Sequence, residues 1–352
     1  MKILALTDLF VTQDLLERVF RSRFPDKSPD LSFIHLASDW PRTPLQHGEE
    51  VTEFVGDVEA IAAAASEAEV IVTHVGPVTK SVIENAPHLQ AIAVPRGGPV
   101  NVNVQAASDR GVAVLNAPGR NAPVVAEFTV GLILSELRNI ARAHKDLSAG
   151  IWRGYFYEYA KAGFELSSAT IGLIGFGSIG ARVTELLKPF GCRILVNDPY
   201  VDDERIRDAG CIAASRDDLL AEADIVTLQL RLTEQTRRYV DAEFFARMKP
   251  GAFFVNTARG GLVDYAALMD ALQSGQVGRA ALDVFDPEPL PSESKLHELY
   301  LMDNVTVTPH IGGASRETAR RGLEIVADDL ARLHSGKEPL HCLNLAKVRA
   351  PR

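Results

Sequence analysis

The sequence predicts an α/β protein built on two parallel, doubly wound sheets. Three observations carry this expectation. Short apolar segments of strand length alternate with amphipathic segments of helix length over the first third of the chain. The same alternation begins again at Thr170. A glycine-rich turn, Gly175 to Gly180, joins the first strand of this second round to its first helix.

In the first round the expected strands are Ile3–Leu6, Ser32–Leu36, Val70–Thr73, Ala91–Val94 and Ala113–Leu115. The expected helices are Asp14–Arg21, Thr79–Asn85 and Val104–Arg110. Pro123–Ser148 reads as one long helix. Its apolar side (Val124, Phe128, Leu132, Ile133) must be buried, either on its own chain or on a second subunit. An aromatic stretch follows: Trp152, Tyr155, Phe156, Tyr157, Tyr159. The second round has expected strands Thr170–Ile174, Arg193–Val196, Ile225–Leu228, Phe253–Asn256, Ala280–Val284 and Val305–Thr308. Its helices are Gly180–Lys188, Asp217–Ala221, Ala242–Met248, Tyr265–Gln273 and, past the last strand, Arg316–His334.

A chain of 352 residues, 46% hydrophobic, is long enough for about two domains with ample cores. Its net charge of −9 argues against a nucleic-acid partner, whose phosphates call for a basic face. Cys192, Cys211 and Cys342 are odd in number and widely spaced. They suggest neither a disulfide framework nor a metal site, and they fit a reducing cytoplasm. The apolar start Met1–Leu6 is too short for a signal-peptide core, and Phe128–Leu134 falls far short of a membrane span. A cytoplasmic protein with no membrane partner is expected.

The glycine turn carries the first chemistry. Gly175 permits the tight turn, Gly177 lets the backbone approach a pyrophosphate, and Gly180 allows close helix–strand packing. The N–H groups of the helix start, at Ser178, Ile179 and Gly180, then face the phosphates. The next strand ends at Asp198, where a carboxylate binds the ribose hydroxyls of NAD and repels the 2′-phosphate of NADP. Pro199 and Tyr200 follow, with no arginine to receive that phosphate. NAD is the expected cofactor.

Three further fragments each lie just past an expected strand: Asn256–Gly261 with Arg259, Asp283–Glu288, and Thr308–Gly313 with His310. In open α/β sheets the carboxyl ends of strands hold the ligand. Moving a hydride from an alcohol beside a carboxylate needs a base for the hydroxyl proton, and an imidazole titrates near working pH. A carboxylate on its far nitrogen, here Glu288, fixes the tautomer and stabilises the imidazolium. Arg259 offers a permanent charge shaped to bind a carboxylate.

On these fragments the chain resembles the D-isomer-specific 2-hydroxyacid dehydrogenases, and among them the phosphoglycerate dehydrogenase-like branch. The most specific stretches are Gly172–Asp198, Lys249–Asp264, Ala281–Leu290 and Thr308–Ser315. The resemblance implies that Arg259 binds substrate, that Glu288 pairs with His310, and that His310 is the acid/base. It implies that Asp283 contacts the nicotinamide amide, and that Ala258 and Gly312 also line the cofactor. It implies a flavodoxin-like substrate domain of about 1–115 plus 312–352, interrupted by a Rossmann NAD domain of about 116–311. A long helix and arm, about 119–165, would form a homodimer.

Substrate contacts are then expected from Gly76 and from the loop Arg96, Gly97, Gly98, as well as from Arg259. Here the chain departs from its relatives. The turn His74–Val78 lacks the arginine often found there. The loop Arg96–Asn101 lacks the common Asp before Asn. Gln229-Leu230-Arg231 stands where His-Val-Pro is frequent, and only a short tail follows Gly336. These departures point away from 3-phosphoglycerate and toward another small D-2-hydroxy or 2-oxo acid. With no arginine in the turn, Arg96 is a candidate for a distal anionic group of the substrate or a second ligand of its carboxylate. The other reading of Arg96 is a surface residue paired with a nearby acid. A non-catalytic NAD-sensing protein on the same fold, like the related corepressors, is the alternative for the whole chain. The absence of disordered or basic tails counts against it. Formate dehydrogenase, which shares the fold, is disfavoured because its relatives generally lack a counterpart of Glu288.

Overall fold

The computed structural model describes residues 1–25, 29–36, 40 and 44–348. They fall into two compact units, Met1–Arg120 with Ala314–Arg352, and Asn121–Gly313.

The first unit contains strands β1 (Lys2–Thr7), β2 (Asp30–His35), β3 (Gln46–His47), β4 (Thr52–Phe54), β5 (Val70–Thr73), β6 (Ala91–Val94) and β7 (Ala113–Asn116). Five of them form a parallel sheet in the order β2-β1-β5-β6-β7. Strands β5, β6 and β7 are buried along their whole length, as parallel strands covered on both faces must be. Alternate residues serve the two faces. Leu4, Leu6, Ile71, Ile92 and Val94 point to one cluster. Ile3, Ala5, Val70, Val72 and Ala93 point to the other, which also holds Leu16 and Phe20 of helix Gln13–Arg23 and Leu323, Val326 and Leu330 of helix Arg316–His334. The C-terminal helix therefore belongs to the core of the N-terminal sheet.

The second unit contains β8 (Thr170–Ile174), β9 (Arg193–Asn197), β10 (Ile212–Ala213), β11 (Ile225–Leu228), β12 (Ala252–Asn256), β13 (Val277–Leu282) and β14 (Val305–Val307). All pair in parallel, in the order β10-β9-β8-β11-β12-β13-β14. The order reverses between β8 and β11. Such a switch point opens a crevice at the carboxyl ends of the strands, and the turn Gly175–Gly180 lies there.

Three local expectations need correction. The long helix is two, Ala122–Leu137 and Ile140–Ser148. The break is at Asn139, whose φ of 57° is left-handed, a conformation that Asn tolerates better than most residues. The first of these helices buries one broad face, through Val125, Ala126, Thr129, Val130, Ile133 and Leu137, and of the expected apolar side Val124 and Phe128 are only half-buried. The strand expected at Ala280–Val284 runs instead over Val277–Leu282, because the chain leaves the sheet at Asp283. The β3–β4 ribbon, strand β10 and the helices Val58–Ala64 and Asp203–Asp208 were not foreseen; each is short and weakly patterned. No described helix is long and apolar enough to cross a membrane.

Candidate active site

The glycine turn fits a dinucleotide. Gly175 sits at φ +98°, and a Cβ there would meet the Gln229 carbonyl oxygen at 2.6 Å. A Cβ on Gly177 would meet nothing within 4 Å, so the backbone is open on that side. No side chain caps helix Ser178–Leu187, which leaves its first-turn N–H groups for an anion. Asp198 closes the turn. Its Oδ2 accepts the Phe176 N–H at 2.6 Å and its Oδ1 the Tyr200 N–H at 2.9 Å.

Arg259, Glu288 and His310 lie in the same unit, beyond β12, β13 and β14. His310 Nδ1 lies 2.7 Å from Glu288 Oε2, and Glu288 Oε1 accepts the Phe285 N–H at 2.8 Å. The carboxylate is thus anchored at both oxygens, and the ring keeps Nε2 free of it. Burial opposes the imidazolium of His310. The hydrogen bond and charge of Glu288 together outweigh burial, and the pKa rises above its ordinary value. The His310 backbone is left-handed, φ 52°, which is unusual for a residue with a side chain and typical of functional loops.

Asp283 holds that loop in place. It is 1% exposed. Its Oδ1 accepts Thr308 Oγ1–H at 2.6 Å and the Ile311 N–H at 3.0 Å, and its Oδ2 accepts the Gly312 N–H at 2.8 Å. Its carbonyl oxygen accepts the His310 N–H at 2.8 Å. Burial pushes the Asp283 pKa up, against these hydrogen bonds. Arg259 is exposed. Its Nη1 donates to the Ala258 carbonyl at 2.7 Å, while Asn256 Nδ2 and Oδ1 brace the Arg259 carbonyl and the Ala258 N–H. Its positive charge reaches His310 and favours the neutral ring.

Gly260 is a residue the sequence reading passed over. A Cβ there would fall 1.8 Å from the Phe285 carbonyl oxygen, so only glycine lets the Arg259 turn approach the Glu288 loop so closely. The signal was present as the pair Gly260-Gly261 after Arg259. Tyr265 was also missed. Its buried hydroxyl donates to the Val284 carbonyl at 2.6 Å. Burial, with the charges of Glu288 and Asp286, raises its pKa well above the ordinary value.

The remaining expected residues lie in the first unit, at the ends of β5 and β6. Gly76 is buried, and its carbonyl accepts from Thr73 Oγ1 at 2.9 Å and Asn101 Nδ2 at 2.8 Å. Arg96 is only 13% exposed and is paired with Glu53, to whose carboxylate and carbonyl it donates. The Gly97 carbonyl accepts from Asn116 Nδ2 at 2.8 Å, and Gly98 faces open space.

The chain has relatives among known proteins. Residues 130–312 match the family model described as D-isomer specific 2-hydroxyacid dehydrogenase, NAD binding domain. The hydroxypyruvate reductase of Thermotoga maritima is 42% identical over 250 residues, 71% of this chain and 79% of that protein. The D-3-phosphoglycerate dehydrogenase of Methanocaldococcus jannaschii is 36% identical over 309 residues, 85% of this chain but 57% of that longer protein. The structure of D-2-hydroxyisocaproate dehydrogenase superposes with a TM-score of 0.79 at 25% identity, over 98% of this chain and all of that one. The chain belongs to the D-isomer-specific 2-hydroxyacid dehydrogenases and is an NAD-dependent oxidoreductase of that family.

Proposed function

We propose that His310 is the acid/base of a dehydrogenase acting on a small D-2-hydroxy acid and its 2-oxo acid, with Glu288 its partner and Arg259 the ligand of the substrate carboxylate. The observation that carries this reading is the 2.7 Å contact between Glu288 and His310, in the same unit as the glycine turn. NAD bound at that turn supplies the hydride chemistry. Arg259 holds the substrate carboxylate by charge and by its planar fork, and it polarises the adjacent carbonyl. In the reductive direction His310, as imidazolium, gives the Nε2 proton to the carbonyl oxygen. In the oxidative direction the neutral ring takes that proton back. Glu288 stabilises the imidazolium and keeps Nδ1 protonated, so proton exchange is confined to Nε2. Asp283 has a positioning role, with its oxygens already engaged by the loop that carries His310.

The test is a screen of 2-oxo acids with NADH, followed at the nicotinamide absorbance. Turnover of at least one small 2-oxo acid to its D-hydroxy acid is expected. Tight NADH binding without turnover of any of them would favour a nucleotide-sensing protein instead.

The active form is read as a homodimer joined through the arm after helix Ile140–Ser148. Trp152, Tyr157 and Tyr159 are 81%, 97% and 99% exposed there, a concentration of aromatic surface that a monomer rarely leaves in water. Sedimentation should give twice the chain mass, and charged substitutions at Trp152 and Tyr157 should return the monomer. The compartment proposed is the cytoplasm, in keeping with three unpaired cysteines.

A further inference from the structure

Among the described residues no carboxylate pairs with Arg120. This arginine follows β7 within the first unit, past the carboxyl ends of that sheet's strands, as do Asp8 after β1 and His74 after β5. Asp8 and His74 are 2% and 5% exposed. Asp8 Oδ1 accepts the N–H groups of Phe10 and Val11, each at 2.7 Å, and its Oδ2 lies 2.9 Å from His74 Nδ1. The other ring nitrogen, His74 Nε2, lies 3.3 Å from Arg120 Nη2.

The protonation states follow from this chain of contacts. A guanidinium nitrogen can only donate, so His74 Nε2 must accept, and the ring is neutral with its proton on Nδ1 toward Asp8. Burial agrees: it lowers the His74 pKa to about 4 in spite of Asp8. The carboxylate is therefore separated from Arg120 by a neutral ring. Among the described residues Arg120 has no carboxylate in ion-pair contact, and its buried Nη1 has no hydrogen-bond partner. The neighbouring cation Arg96 is already matched by Glu53, and Arg321 spends Nη1 on the Arg120 carbonyl at 2.5 Å. Burial first, and then the charge of Arg96, lower the Arg120 pKa to about 10, still charged at any working pH.

A half-buried, unmatched cation with a buried idle donor is unfavourable in the free protein. It is the arrangement expected where a ligand brings the opposite charge. The relay from Asp8 through His74 holds one arm of the guanidinium, the Phe10 ring lies 6.0 Å from its centre, and Nη1 of the other arm is left without a partner.

We propose that Arg120, positioned by His74 and Asp8, is the centre of an oxyanion-binding site in the first unit, taking a carboxylate or phosphate group. Free inorganic phosphate and a small free carboxylate share that chemistry, and the anion that acts at the lower concentration in the titration identifies which of them the site takes.

The full chain is titrated with inorganic phosphate and with malonate, against chloride at equal ionic strength, and its thermal unfolding is recorded. Wild type should gain several degrees at millimolar phosphate or malonate. Arg120→Gln should show no such gain, and without added anion it should unfold no lower than wild type, since a half-buried unmatched charge has gone. Equal anion responses in the two proteins would overturn the proposal, as would a loss of stability in Arg120→Gln that is the same with and without anion. Should Arg120→Gln not fold, Arg120→Lys keeps the charge but loses the fork, and the anion concentration at half-effect should rise several-fold. An unchanged half-effect concentration would again overturn the site.

Discussion

Glu288 Oε2 lies 2.7 Å from His310 Nδ1, and the same carboxylate takes the Phe285 N–H on its other oxygen. The pair is thus fixed from the carboxylate side, and the pKa of His310 is raised above its ordinary value. Oxidation needs the neutral ring, so kcat/KM for the hydroxy acid should rise as pH climbs through a pKa above about 6.5, the unperturbed value. Reduction needs the imidazolium and should fall over the same interval. Glu288→Gln removes the charge that outweighs burial and should move both inflections to lower pH. Profiles that coincide with wild type would deny Glu288 its role.

Gly260 allows the Arg259 turn to touch the Glu288 loop. A methyl group at this position would fall 1.8 Å from the Phe285 carbonyl oxygen, a backbone atom that cannot swing away. Gly260→Ala should therefore cost about 1–3 kcal/mol or more of stability, as overpacking does, and shift Arg259 relative to His310. Chemical denaturation and kcat measured on the same preparation check both effects. Wild-type values for stability and kcat would mean that the approach of these loops is not needed.

The selectivity for NAD is assigned to Asp198, which also braces the glycine turn through the Phe176 N–H. Replacing Asp198 with Ser and Pro199 with Arg should raise the ratio of NADPH to NADH efficiency. The NADH value should also fall, because the bracing bond weakens. A native preference for NADPH would contradict the assignment.

The buried ring of His74 makes the first unit acid-sensitive. Its pKa is lowered to about 4 in the folded state, against about 6.5 when unfolded. Between those values the unfolded chain binds a proton that the folded chain does not, so stability falls as pH falls. From pH 7.5 to 5 the loss should be on the order of 2 kcal/mol. Denaturation midpoints across this range should decline in wild type and flatten in His74→Asn. A wild-type midpoint that rises toward pH 5 would mean that the folded ring is charged.

Much of this architecture was legible because parallel strands buried on both faces leave continuous apolar runs, as in Val70–Thr73 and Ala91–Val94. Residues at strand ends were legible for a related reason. The run stops, and a chemically distinctive side chain such as Arg259 or His310 follows at once. What stayed hidden depends on atoms brought together from afar. Gly260 matters because of the Phe285 carbonyl. The break at Asn139 needs a left-handed backbone that no local pattern announces. Arg120 follows a glycine in a turn and looks like an ordinary surface residue, until the structure sets it against the buried His74. Arg96 shows the opposite: its sequence context left open a ligand of the substrate or a residue paired with a nearby acid, and in the structure Glu53 matches it.

The central claim is that hydride transfer to a 2-oxo acid is completed by a proton from His310. The most direct measurement is the single-turnover rate at which NADH deuterated at its transferring carbon delivers deuterium to C2 of the 2-oxo acid, in wild type and in His310→Ala. Wild type should give a D-hydroxy acid deuterated at C2, and His310→Ala a rate roughly 10²–10⁴-fold lower, with NADH affinity unchanged. Transfer at the wild-type rate in His310→Ala would contradict the claim.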